Sequence, residues 1–203
     1  MNKILPLFAL LFLLPLSAHG QTLWEENTHY KIIAKESSAK PQVKEVFSFW
    51  CPACYRFESI AANIKKSLPP GVPFIKAHVN FSGSASKEAQ NAATIGMLSS
   101  RAMKDSERFN KALFDSIHQE RNKIEDLEDI QKVYEAAGGN GTKFGKISKS
   151  FGIRGQITKN DKATLGVKSV PTIIVNEKYQ AIFSRNMTPD QFVALVTWLL
   201  KQK

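Results

Sequence analysis

Cys51 and Cys54 are the only two cysteines in the 203-residue chain, and their Cys-x-x-Cys spacing decides what they can do. They lie within Phe47-Ser48-Phe49-Trp50-Cys51-Pro52-Ala53-Cys54-Tyr55, after an apolar strand-like run and before a helical one. With Cys51 as helix cap and Pro52 in the first turn, the proline's missing N–H costs nothing and its fixed φ suits the turn. Cys54 then falls over the same face, within reach of a disulfide. Free N–H groups and the positive end of the helix dipole surround the Cys51 sulfur, which favours thiolate over thiol. Stabilising the reduced, ionised form makes the paired disulfide an oxidant. A structural bridge is the alternative, but so small a loop adds little stabilisation to a domain this size.

The elements that must hold this pair can be read from periodicity. Pro41 to Phe49 reads as a buried strand with Val43, Glu45, Phe47 and Phe49 on one face. Glu45 is out of place there, an acid among large apolar side chains. Pro52 to Leu68 is helical and ends at Pro69-Pro70-Gly71, and Phe74 to Phe81 alternates as a second strand. Such a strand, helix, strand unit has parallel strands and a right-handed crossover. From Lys87 onward four segments, 87–103, 105–121, 126–137 and 142–151, carry helical spacing, with Asp105 and Asp126 as expected N-caps. Extended character returns at Gly166. Thr172–Asn176 and Tyr179–Phe183 make a hairpin, and Thr188-Pro189 opens a terminal helix. A short strand is expected near Tyr30–Ile33. The fold class is α/β.

The N-terminus has an export pattern: Met1-Asn2-Lys3, an apolar run from Ile4 to Leu16, and Ala18-His19-Gly20 as a small-x-small cleavage site. Residues 1–20 are read as a signal peptide cleaved after Gly20. The apolar run, interrupted by Pro6 and Pro15, is too short to span a bilayer core of ~30 Å. The formal charge is +10, from 28 Lys/Arg against 18 Asp/Glu. Residues 84–158 hold 12 Lys/Arg against 10 Asp/Glu, so the excess is assigned mainly to the flanking segments that contain the cysteines. It reads as a solvated basic surface, or as a positive field that favours a thiolate and attracts acidic chains or an anionic membrane surface. No nucleic-acid recognition motif is present.

Taken together, Phe-Ser-Phe-Trp-Cys-Pro-x-Cys-Tyr, His78-Val79-Asn80-Phe81, the helical block, and Val170-Pro171 followed by Val175-Asn176-x-Lys178-Tyr179 resemble the DsbA group of periplasmic thiol:disulfide oxidoreductases. The resemblance implies a thioredoxin fold formed by residues 21–83 and 159–203, with an all-helical domain, 84–158, inserted. It implies that Cys51 is the exposed nucleophile and Cys54 its buried partner, forming the redox-active disulfide. Pro171 matches the family's cis-proline, whose loop faces the disulfide, so that the backbone of Val170 can pair with an extended substrate. Trp50, Pro52 and Ala53 would complete the substrate-facing surface. Glu45 and Lys76 match a buried acid and its partner, either a proton relay for Cys54 or a structural ion pair. Glu58 also matches a family acidic position but reads as a solvated helix charge. The implied partners are unfolded, cysteine-containing exported proteins and a membrane, quinone-linked DsbB-like reoxidising protein. The implied state is a periplasmic monomer with no cofactor.

The sequence departs from the family at Ala53, where the best-known members have histidine. Losing one hydrogen bond to a charged group, roughly 1.5–3 kcal/mol, would raise the Cys51 pKa by about one to two units. The expectation is a weaker oxidant, unless Arg56, Trp50 or the basic surface compensates. A second departure is the compact Ala181–Met187 segment, where the family often has a longer loop beside a peptide groove. Two competing functions use the same residues: a periplasmic reductase or isomerase, and a metal-binding module. The latter suits the two thiolates but lacks nearby ligands for a closed site, since His29, His78 and His118 are distant in sequence.

Overall fold

In the computed structural model, residues 23–202 are described; the expected signal peptide lies outside them. Strand β2 (Val43–Phe47) is the centre of the fold and is buried along its whole length. After Pro69-Pro70-Gly71 the chain returns from α1 (Pro52–Ser67) to β3 (Phe74–His78), which pairs with β2 in parallel as the crossover requires. On the other side β2 pairs antiparallel with β4 (Thr172–Val175), which is followed by β5 (Tyr179–Ala181). The early strand β1 (Tyr30–Ile32) closes that edge, so the order is β1-β5-β4-β2-β3. Asn176 and Glu177 both have positive φ, at 53° and 55°, and Lys178 N–H donates to Val175 O at 3.1 Å, so a primed-type turn sits within the three-residue connection between the paired Val175 and Tyr179. Between β3 and β4 lie five helices: α2 (Lys87–Ala102), α3 (Ser106–His118), α4 (Leu127–Ala136), α5 (Gly141–Ser148) and α6 (Phe151–Thr164). Helix α7 (Pro189–Leu199) ends the chain behind a Thr188 capping box, with Pro189 in its first turn. This is the thioredoxin-like sheet with a helical insertion.

Several boundaries differ from the sequence reading. β3 stops at His78 rather than Phe81, because its partner β2 ends at Phe47: Val79 N–H makes a last bond to Phe47 O at 2.9 Å, and farther on Ser82 N–H donates to Gln90 Oε1 at 2.9 Å. β5 ends at Ala181; Ile182 N–H already donates to His29 O. Asp126 caps α4 by accepting from Glu128 and Asp129 N–H, whereas the Asp105 carboxylate makes no cap and instead accepts from Arg108 Nε and Tyr134 Oη. Helix α6 runs unbroken across residue 158, whereas the sequence pattern predicts helix only as far as Phe151.

Two core clusters meet near the cysteines. One packs α1 and α7 on the sheet through Val43, Phe57, Ile64, Ile173, Leu195 and their neighbours. The other joins Phe47, Phe49 and Cys54 to Met97, Phe109, Phe114 and Tyr134 of the helical block. Phe49 contacts Phe114 ring to ring at 4.9 Å and Phe109 at 6.0 Å. The strand that delivers the cysteines is therefore anchored in both cores.

Candidate active site

Cys51 is the N-cap of α1 and has extended backbone, with Pro52 in the first turn. Its Sγ accepts from Cys54 N–H at 3.1 Å and lies 3.6 Å from Val170 O. The preceding turn is held by Ser48, whose carbonyl accepts from Cys51 N–H (3.1 Å) and whose Oγ accepts from Trp50 N–H (3.2 Å). Cys51 is half-buried, Cys54 is fully buried, and both are free thiols. The Val170–Pro171 peptide is cis, and its loop brings Val170 O against Cys51 although 119 residues separate the two in sequence.

The two sulfurs are driven apart in acidity. A hydrogen bond from the Cys54 thiol is the largest influence pulling Cys51 down to about 6; the Cys54 and Ala53 N–H groups and the Arg56 charge add to it, against partial burial. Cys54 is pushed up, first by donating that same hydrogen bond, then by burial and by the negative charges of Cys51 and Glu45. Of the groups expected to act in place of a histidine at position 53, Arg56 lowers the Cys51 pKa, but less than the backbone and Cys54 do.

Beneath the pair, Glu45 is fully buried, and its Oε2 accepts from Lys76 Nζ at 2.7 Å. Burial raises the Glu45 pKa, with the nearby Glu58 reinforcing and Lys76 opposing. Its Oε1 has no hydrogen-bond partner among the described residues. Lys76 is the hub: burial disfavours its charge, but Glu45 and Glu58 outweigh that and raise its pKa. Glu58 is not the solvated charge that the sequence reading made it. It accepts from Lys76 Nζ at 2.5 Å and is only partly exposed, because α1 lays it over β3 one turn beyond Cys54.

His118 and Tyr55 were not read as part of this site. His118 ends α3, and its Nε2 is 2.7 Å from Phe49 O, one residue before Trp50. Donation to that carbonyl fixes the ring, which stacks on Tyr55 at 5.0 Å and 9°. Tyr55 Oη in turn donates to Asp115 Oδ1. The signal was faint: a histidine and an acid three residues apart at the end of a helix, with nothing to tie them to residue 49. His78 stays in the core, its pKa lowered to about 3 by burial, with Nδ1 on Thr94 Oγ1.

Between the first turns of α1, the Pro171 loop, the end of β5 and α7, a cleft of about 360 Å³ is lined by Ala53, Arg56, Phe57, Pro171, Phe183 and Phe192 among others. The compact segment after β5 supplies Phe183 to its wall, and Met187 is buried. Trp50 lies on the opposite side, packed on the helical-block core.

Sheet order, insertion and a capped Cys-x-x-Cys define a thioredoxin-fold thiol:disulfide oxidoreductase. A family model, the DSBA-like thioredoxin domain, matches residues 42–196. The thiol:disulfide interchange protein DsbA of Escherichia coli O6:H1 (strain CFT073) is 35% identical over 163 residues, covering 77% of this chain and 76% of that one. Its counterpart in Salmonella typhimurium is 33% identical over 189 residues, covering 88% and 89%. A crystal structure of a Pseudomonas aeruginosa DsbA variant superposes with a TM-score of 0.76 at 26% identity, covering 88% and 97%. Proteus mirabilis DsbA, solved with a non-covalently bound peptide, shares the fold with a TM-score of 0.74 at 23% identity. The chain belongs to the DsbA family.

Proposed function

We propose that the protein is a dithiol oxidase, which donates its Cys51–Cys54 disulfide to newly exported, unfolded chains in the periplasm. The carrying observation is the split between the sulfurs: Cys51 half-exposed and held acidic, Cys54 buried and pushed up. A substrate thiolate attacks Cys51 Sγ; the S–S bond breaks, and Cys54 leaves with the electron pair and takes a proton. The mixed disulfide is then attacked by a second substrate thiolate at the substrate sulfur. Cys51 leaves as the stabilised thiolate, and the substrate has lost two electrons to the pair.

In this reading Glu45, with its raised pKa, supplies the proton to Cys54, and Lys76 stabilises the carboxylate left behind. The Val170 carbonyl and the loop at Pro171 present a backbone edge to an extended substrate. Trp50 flanks that edge, with Pro52 and Ala53 beside the cleft. A membrane-bound, quinone-linked protein restores the disulfide, and the working unit is a monomer released after cleavage behind Gly20.

The test is the equilibrium reduction potential against glutathione, read by Trp50 fluorescence and checked by thiol quantitation. The oxidase reading expects a value above roughly −180 mV. A value near roughly −270 mV, the thioredoxin end, would overturn it in favour of a reductase or isomerase. Given a cysteine peptide supplied as its disulfide, Cys54→Ser should trap a mixed disulfide at Cys51 and release one peptide thiol; Cys51→Ser should not.

A further inference from the structure

Charge is not spread evenly over this surface. In the α3–α4 region Arg108, Lys111, Lys123 and Lys132 are each ion-paired. Between Gly138 and Asn176 there are seven Lys/Arg and one acid, Asp161. Lys143, Lys146 and Lys149 are exposed along α5 and its C-cap; Arg154, Lys159 and Lys162 are exposed on α6. None of these six makes an ion pair among the described residues. This stretch straddles the expected boundary at residue 158, so dividing the charge there hid it.

Helix α6 has a fixed roll. Asn160 donates from Nδ2 to His78 O at 2.8 Å and accepts His78 N–H at Oδ1 at 2.9 Å, and Ile153 is buried on the same side. The outward stripe then contains Phe151, Arg154, Thr158 and Lys162, with Leu165 at the C-cap, at helical spacing. Phe151 and Leu165 are 84% and 85% exposed, about 21 Å apart at the helical rise. Arg154 lies 4.9 Å from the Phe151 ring centroid.

We propose that this α5–α6 face docks the protein on an anionic phospholipid surface, with the cations among the headgroups and Phe151 and Leu165 inserted as wedges. Unpaired cations of one sign attract such a surface, and isolated apolar side chains at both ends of the stripe gain burial only against an apolar phase. A flat bilayer fits better than an acidic polypeptide, because one helix's solvent side is convex and offers an extended chain neither a groove nor a sheet edge. Four residues separate Leu165 from Val170, so five Cα-to-Cα steps span at most about 18 Å of chain, and Val170 O touches Cys51. Docking therefore holds the cysteines close to the membrane. The inference does not depend on the direction of thiol exchange.

The test is co-sedimentation of the protein, as recovered after export, with phosphatidylcholine vesicles and with vesicles containing phosphatidylglycerol, at low and high salt. Binding is expected only to the anionic vesicles and should fade with salt. Arg154→Gln/Lys159→Gln/Lys162→Gln should weaken partitioning by about a hundredfold, roughly fivefold per cation, with the rate of disulfide exchange unchanged as proof of folding. Phe151→Ser/Leu165→Ser should weaken it while keeping the salt dependence. Equal binding to both vesicles, or binding that the triple variant retains, overturns the proposal. So does capture by polyglutamate with none by vesicles, which would make the face a polypeptide site.

Discussion

Ala53→His tests whether the side chain at position 53 still limits the oxidising power that the rest of the turn supplies. Ala53 is exposed on the cleft rim beside Arg56, so an imidazole has room to reach Cys51 Sγ without altering the cap. One further hydrogen bond to a charged group contributes roughly 1.5–3 kcal/mol, a fall of about one to two units in the Cys51 pKa. Cys51 already titrates at about 6, so near neutrality roughly nine-tenths of the reduced form is thiolate. Nearly all of the added stabilisation therefore reaches the reduced state, and the potential should rise by roughly 30–60 mV. Two measurements check this: equilibration with glutathione at neutral pH, and the ultraviolet thiolate absorbance of Cys51 as a function of pH. An unchanged titration midpoint with a potential within about 10 mV of the parent, on the scale of that expected shift, would refute the reasoning.

Three further outcomes follow from the same geometry. The Cys51 pKa is depressed in the folded state, so the reduced form should gain stability as pH rises from about 6 towards the ordinary value of 9.0 and lose it as pH falls through 6. Urea unfolding of reduced and oxidised protein across that range should show this slope in the reduced form alone. Glu45 is shifted the opposite way, so its contribution is lost as pH rises from the normal carboxylate range towards its raised folded value. Glu45→Gln should flatten that dependence and slow exchange at Cys54, with the Cys51 midpoint little changed. At Gly96 a Cβ would come within 2.6 Å of the Phe109 ring. Gly96→Ala should therefore destabilise by about 1–3 kcal/mol, a Tm loss of roughly 2–4 °C per kcal/mol in calorimetry.

What could be read in the sequence was what local chemistry determines. Cys51, Pro52 and the run into Tyr55 announced a helix cap, and Thr188-Pro189 another, because capping depends on residues a few positions apart. Glu45 stood out as a polar residue on an apolar strand face. Glu58 was misjudged because its environment is made by β3, and helix α1 by itself presents it to solvent. His118 was missed for the same reason, since its partner, the Phe49 carbonyl, lies on another element. Asp105 looked like a cap and became a tertiary ligand of Tyr134. Helix α6 carried too few apolar positions to declare itself, and it is held instead by the polar clasp between Asn160 and His78.

Glu58 also changes how the proposed proton relay closes. When the disulfide opens, the electron pair left on Cys54 appears in a buried place that already feels Glu45, and a proton must follow. Glu45 can give one, but only if its own charge is then tolerated. Lys76 makes it so from 2.7 Å, with its Nζ 4.4 Å from the Phe47 ring centroid. The same ammonium is shared with Glu58, whose side chain is 31% exposed. A buried acid, a cation and a partly wet acid are thus joined in one network, and in the proposed relay Glu45 would be reprotonated along it between turnovers. A structural network would use the same three groups, so the two readings separate in kinetics rather than in geometry. Glu58→Gln should therefore slow repeated turnover at high pH more than it slows a single exchange, whereas a purely structural network would lower stability and leave that ratio unchanged.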